Sequence, residues 1–340
     1  MKQVAYLVSI VFMLALVPGS FAAAPFYQSK TLRVTVGFSA GGGFDLWARL
    51  VARHIGRHIP GIPNVVVDNI TGAGGLIQAN QLFKATKPDG LTLGSIHGGL
   101  ILAQVLGQPG YDFDGQKFIY IGAANKERNV FVFNKKSGII SAEKWRTSPV
   151  PVKIGGVVPG NFLDNCNHVI KDILGFPTQI VTGYKGTADM VLAVESGELA
   201  GTAALWDGVK VNRKAALDSG DMVLVLQATA TPLKDLPNVP RIIDYAKTED
   251  QKTLIDIVVH FASDYSRPFV VPPGTPKERV DILRKAYQEM LTDKEFLAEI
   301  EKMKLSLDPV SADDLTAAVR NSAKLDQAMK AKLKDILLKQ

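Results

Sequence analysis

Cysteine is almost absent. Cys166 is the only one in 340 residues, so no disulfide can form within the chain and stability must come from apolar cores. No block of five or six like charges occurs, although Lys and Arg outnumber Asp and Glu by 39 to 33. Basicity spread in this way argues against a nucleic-acid partner. Neither G-x-G-x-x-G nor G-x-x-x-x-G-K-[ST] is present, which removes the two common nucleotide-phosphate loops. The one extended apolar run, Val4 to Val17, is shorter than the ~20 residues a membrane-spanning helix needs.

That run follows Met1-Lys2 and ends at Pro18-Gly19-Ser20, before Phe21-Ala22-Ala23-Ala24. A short positive start, an apolar stretch and small residues describe a secretory signal peptide over residues 1–24, with a retained anchor as the alternative. The expected product is exported, soluble and periplasmic, where nucleotide cofactors have little place. With 46% hydrophobic and 21% charged residues the rest reads as globular, long enough for about two domains at roughly 150 residues each.

Strand and helix signals alternate. Leu32 to Phe38, Val65 to Val67 and Leu91 to Ile96 read as strands, with helices at Asp45–Ile59 and Leu76–Ala85 between them. Further strands are expected at Phe118–Ala123 and Val130–Phe133. A second unit follows, with strands at Val152–Val157, Gln179–Val181, Ala200–Leu205 and Val223–Gln227 and helices at Phe162–Leu174 and Ala188–Ser196. After Pro272 to Pro276 the chain reads as helical. This alternation predicts an α/β fold with parallel strands, whose strand-to-helix loops share one edge.

Two of those loops are glycine turns, Gly41-Gly42-Gly43 and Gly72-Ala73-Gly74-Gly75. Glycine lets backbone N–H groups approach a ligand, and a helix N-terminus behind the turn adds about half a positive charge. Together they suit an anion held without Lys or Arg. Tight turns and close helix–sheet packing are the alternative reason for the glycines. In an exported protein the fitting anion is a carboxylate.

Phe38-Ser39-Ala40-Gly41-Gly42-Gly43-Phe44-Asp45, Thr71 to Gly75, Pro88-Asp89-Gly90, Gly183-Tyr184-Lys185-Gly186, Leu236 to Pro240 and Pro273 to Pro276 appear in an order that resembles the extracytoplasmic receptors of tripartite tricarboxylate transporters, the Bug or TctC-like family. Gly37 and Thr71 stand where that family usually has Pro, His97-Gly98-Gly99 where small hydroxyl residues are common, and Trp206-Asp207 where Asp-Asn is frequent. The resemblance implies a two-lobed periplasmic binding protein of type II-like architecture, each lobe a sheet flanked by helices, with the ligand cleft between lobes. It implies lobe one as 25–124 plus 232–340, and lobe two as 125–231. It further implies a monomeric, non-enzymatic receptor for a di- or tricarboxylate or an aromatic acid, delivering to a membrane transporter, with no cofactor and no metal.

The candidate ligand residues are Phe38, Ser39, Ala40, Gly41, Gly42 and Gly43 in the first turn, with Asp45 as a helix cap or loop-positioning group. Gly72, Ala73, Gly74 and Gly75 form the second turn. His97 and Gly98 follow the third strand, where His97 can donate to a carboxylate and respond to pH. Asn125 and Arg128 mark the first crossing between lobes, and Arg128 can pair with a carboxylate or lie solvated. Gly160 and Asn161, then Tyr184, Lys185 and Gly186, are expected to face the ligand from lobe two, followed by Trp206 and Asp207 as an aromatic wall and its neighbour.

Catalytic patterns are weak. His54 and His58 sit one helical turn apart beside Arg53 and Arg57, a poor setting for a cation. Cys166 and His168 fall on different faces of their helix. Gly94 to Gly98 is not a G-x-S-x-G elbow. An exported hydrolase using Ser95 and His97, and a sensor co-receptor, are the alternatives to a transport receptor.

Overall fold

The computed structural model describes residues 24–126, 128–158, 161–261, 263 and 267–338. The segment read as a signal peptide lies outside these residues except for Ala24, and so does the candidate Gly160.

Five strands form the first sheet. β1 (Thr31–Val36) lies between β2 (Asn64–Asn69) and β3 (Thr92–Ser95), parallel to both. Val36 is in register with Asn69 and with Ser95, so all three strands end at one edge. β4 (Ile119–Gly122) closes the far side. The second sheet follows the order β7-β6-β8-β5-β9, from β5 (Asn129–Asn134), β6 (Val152–Gly155), β7 (Thr178–Val181), β8 (Gly201–Leu205) and β9 (Met222–Ala228). β6 runs parallel to β7 and β8, while β5 is antiparallel to β8 and β9.

One strand has no counterpart among the sequence expectations. β10 (Phe269–Val271) inserts antiparallel between β3 and β4 of the first sheet. Three residues, Phe-Val-Val between two prolines, are too short a run to stand out by period alone. All three are buried.

The helices cover both sheets. α1 (Gly43–Ile55) buries Phe44, Trp47, Ala48, Leu50, Val51 and Ile55, the i, i+3, i+4 pattern of a face laid on a sheet. α2 (Leu76–Lys84) and α3 (Gly99–Val105) follow β2 and β3, and α4 (Ala142–Arg146) places Trp145 fully inside. That indole lies edge-on to Phe131, Phe133 and Phe176 at centroid distances of 5.2, 5.0 and 5.6 Å. α5 (Phe162–His168) widens into a π turn at Val169–Ile173, and α6 (Thr187–Ser196), α7 (Trp206–Asn212) and α8 (Lys214–Asp218) complete the second unit.

Beyond it lie α9 (Glu249–Ile255), α10 (Lys277–Leu291), α11 (Lys294–Lys302), α12 (Ala312–Ser322) and α13 (Gln327–Leu337). The lobe boundaries expected from the sequence put everything from 232 onward in the first lobe; the helices of this segment pack on both units. α10 and α11 do pack on the first unit, against β4 and α1. α13 packs on α5, and Gln251 of α9 donates to the Ile173 carbonyl at 2.6 Å, both on the second unit. Their apolar residues Leu254, Ile255, Leu333 and Leu337 join one buried core with Phe162, Val169 and Ile170.

Candidate functional site

The first glycine turn runs from the end of β1 into α1, with Gly42 preceding the first helical residue. Asp45 is three positions further on, and its carboxylate accepts from the Gly41 N–H at 2.9 Å, from Arg49 Nε at 2.9 Å and from Asn69 Nδ2 at 3.0 Å. Asn69, at the end of β2, also donates to the Phe38 carbonyl at 2.9 Å. Of the two roles expected for Asp45, the geometry shows loop positioning. Burial works to raise its pKa, but the bonds from Arg49, Gly41 and Asn69 outweigh it and hold the group below the usual carboxylate range.

The second turn begins after β2. Gly74 has φ +62°, and a Cβ there would come within 2.8 Å of Asn161 Nδ2. A side chain is therefore excluded twice, by conformation and by the close approach of the second unit. Asn161 is fully buried at the N-cap of α5, where its Oδ1 accepts from the Leu163 N–H, and its Nδ2 donates to the Gly74 carbonyl at 3.2 Å.

Other bonds cross between the units. Ser39 Oγ donates to Asp189 of α6 at 2.9 Å, and Asn212 of α7 donates to the Gly41 carbonyl at 2.7 Å. At Gly208 an added Cβ would sit 2.9 Å from the Gly43 nitrogen, so α7 and the first turn touch backbone to backbone. Beside Gly41 and Gly42 the space left against α6 and α7 is about 20 Å³, room for about one water. The arrangement is closed at this end.

His97 is 1% exposed, ringed by Phe38, Phe44 and Phe162 at centroid distances of 5.5, 5.1 and 5.9 Å. Burial, with the Arg267 cation adding to it, pushes its pKa down to about 3. Its Nδ1 accepts from the Gly99 N–H at 2.9 Å, which puts the imidazole proton on Nε2. The expectation of a pH response near neutrality is thus corrected: His97 is a neutral donor, because its surroundings are aromatic and its nearest ion is positive.

No protein-family profile matches the chain. A UPF0065 protein of Cupriavidus necator is 39% identical over 83 residues, so the chain matches only 24% of that relative's length. A second UPF0065 protein, from Agrobacterium vitis, is 25% identical over 318 residues, covering 90% of this chain and 82% of that one. Among solved structures, the periplasmic binding protein BugD superposes with a TM-score of 0.74 at 20% identity, covering 91% of this chain and 98% of its own. MatC of Rhodopseudomonas palustris with bound malate gives 0.71 at 18% identity over 91% and 99% of the two chains. A further R. palustris protein with adipate gives 0.72 at 20% identity over 91% and 97%. The chain shares the fold of BugD and MatC. The two five-stranded sheets flanked by helices are the two-lobed α/β architecture of those periplasmic binding proteins.

Within this fold the other candidates separate. Ala40 is exposed at the crest of the first turn, Gly98 is buried at the start of α3, and Gly186 packs against Phe38 and Ser39 across the units. Lys185 is exposed, and Tyr184 donates to Glu198 at 2.5 Å. Four expectations change. Asp207, 2% exposed, accepts at one oxygen from Trp47 Nε1 at 2.9 Å and from Asn125 Nδ2 at 2.7 Å, with Arg267 3.8 Å away. Asp207 and Asn125 therefore tie α7 to α1 and are committed to protein partners. Trp206 packs in a separate core cluster and donates to Asp235 at 3.1 Å, and Arg128 pairs with Asp308 at 3.6 Å; neither lines the glycine turns.

Two residues escaped the sequence reading. Asn129 is fully buried where β5 starts, opposite the end of β8, and neither its carbonyl nor its amide finds a partner among the described residues. A polar residue opening the run Asn-Val-Phe-Val-Phe was the available signal. Asp164 accepts from the Val157 and Val158 N–H groups at 2.7 and 3.2 Å, holding the turn that leads to Asn161. Burial, working against those two bonds, pushes its pKa up to about 7. Among the described residues no group of three or more His, Cys, Asp or Glu side chains is placed to hold a metal, and no helix is long and apolar enough to cross a membrane.

Proposed function

We propose that this protein is a periplasmic solute receptor that binds a small organic carboxylate between its two sheets and delivers it to a tripartite tricarboxylate-type membrane transporter. One observation carries the reading: two glycine turns leave adjacent parallel strands at one sheet edge and both meet the opposite unit, the first at Asp189 and Asn212, the second at Asn161. Malate and adipate in the neighbouring structures support a carboxylate as the ligand class. The main-chain N–H groups of Gly42, Gly43, Gly72, Ala73 and Gly74, the neutral His97, Asn161 and the buried amide of Asn129 are the proposed grip. Lobe one is proposed as the first sheet with α1–α3 and α10–α12, lobe two as the second sheet with α4–α9 and α13. No catalytic role is proposed.

A thermal-shift panel of malate, adipate, citrate and benzoate against glucose tests this. A carboxylate at a hundredfold excess over its Kd is expected to stabilise the protein by about 2.7 kcal/mol. Stabilisation by glucose and by none of the acids overturns the reading.

Asn129 supplies a residue-level test. Asn129→Ala is expected to weaken the stabilising carboxylate about tenfold, the loss of one or two hydrogen bonds, as read by calorimetry. The ligand-free variant is expected to be at least as stable as the parent, since a buried amide without partners is unfavourable. Unchanged affinity removes Asn129 from the grip.

A further inference from the structure

A second groove of about 650 Å³ lies along the seam between the two units, away from the glycine turns. Val211, Leu217, Leu224, Leu236 and Met303 supply its apolar floor, beside the Trp206 indole. Four lysines stand along it. Lys210 is bound by Asp235 and Lys214 by Asp218, but Lys302 and Lys304 have no carboxylate partner among the described residues. Both are exposed, at the end of α11 on the first unit, while Trp206 and Leu224 belong to the second.

We infer that this groove is a second ligand site for a small amphipathic anion, an alkyl- or aryl-carboxylate with one charged end. The volume is in the range of small-molecule pockets, roughly 300–1,000 Å³. The apolar floor takes a hydrocarbon body, and the two unpaired ammonium groups take its single anion while their methylene stems extend the apolar wall. A short, doubly charged acid fits poorly, because its second carboxylate would lose water against Leu224 and Met303 without a donor to replace it. Since the walls come from both units, an occupant favours the relative position of the units seen here. The site does not depend on what the glycine turns bind.

Octanoate is the probe, titrated into the intact chain by calorimetry. Saturable one-to-one binding is expected, with a change in tryptophan emission that Trp206→Phe removes, since Trp206 lines the groove and Trp47 and Trp145 do not. Reversing both exposed charges, Lys302→Glu with Lys304→Glu, is expected to weaken octanoate at least tenfold and to change octanol binding less than twofold. Excess malate or adipate is expected to leave octanoate binding unaltered. Absence of saturable binding, indifference to the double reversal, or displacement by malate or adipate each overturns the proposal. So does concentration-dependent self-association that the reversal abolishes, which would make the groove a contact between copies.

Discussion

Asp207→Ala is expected to lower the unfolding free energy by about 3–5 kcal/mol, the range for breaking a buried ion pair and leaving its partner charged. Arg267 is 3% exposed, and its guanidinium lies over the Phe44 ring at 5.3 Å, so it cannot recover hydration when the carboxylate is lost. Trp47 Nε1 and Asn125 Nδ2 lose their acceptor at the same time. Asp207→Asn keeps an oxygen for Trp47 and is expected to lose less. Removing both charges, as Asp207→Leu with Arg267→Met, is expected to recover much of the stability. Urea denaturation measures all three. A loss below about 1 kcal/mol for the alanine variant would be the value of a solvated surface pair, and would mean that water reaches this latch.

Asp164 is expected to make stability fall as pH rises. The unfolded chain releases the proton near 3.8, whereas the native state retains it to about pH 7. Over that interval the folded protein binds more protons, so raising pH favours unfolding, by on the order of 4 kcal/mol for about three units. The contribution is fully present below pH 3.8 and lost on passing through pH 7. Asp164→Asn removes the titration while preserving an acceptor for the Val157 N–H. The variant is expected to be less pH-dependent between pH 4 and 8, and more stable than the parent at pH 8. Parallel stability profiles for parent and variant would show that Asp164 is ionised throughout. Because the turn it holds leads to Asn161, which reaches Gly74, carboxylate affinity is expected to change over the same interval.

The local pattern reaches far. Nine strands and the helices between them follow from runs such as Leu-Arg-Val-Thr-Val and from the spacing of Trp47, Val51 and Ile55. The shared edge for both glycine turns follows from strand–helix alternation, since right-handed crossovers leave little choice of topology. These signals are short-range: each depends on residues within a few positions of one another. The long-range ones were opaque. Asp207 reads like any acidic residue at a helix start until Trp47, 160 positions earlier, and Arg267, 60 later, enclose it. Trp206 beside it looked like a cleft wall because sequence order says nothing about which side of a helix meets which neighbour.

By itself the sequence determined the elements, their alternation and the glycine turns at one edge, because backbone conformation and apolar period are set by near neighbours. Only the tertiary structure decided that Phe269–Val271 completes the first sheet, that the last helix packs on the second unit, and that Asp207 and His97 are sealed from solvent. Those outcomes depend on which apolar surfaces remain uncovered and which charges meet once distant segments pack, and burial of that kind has no local signature.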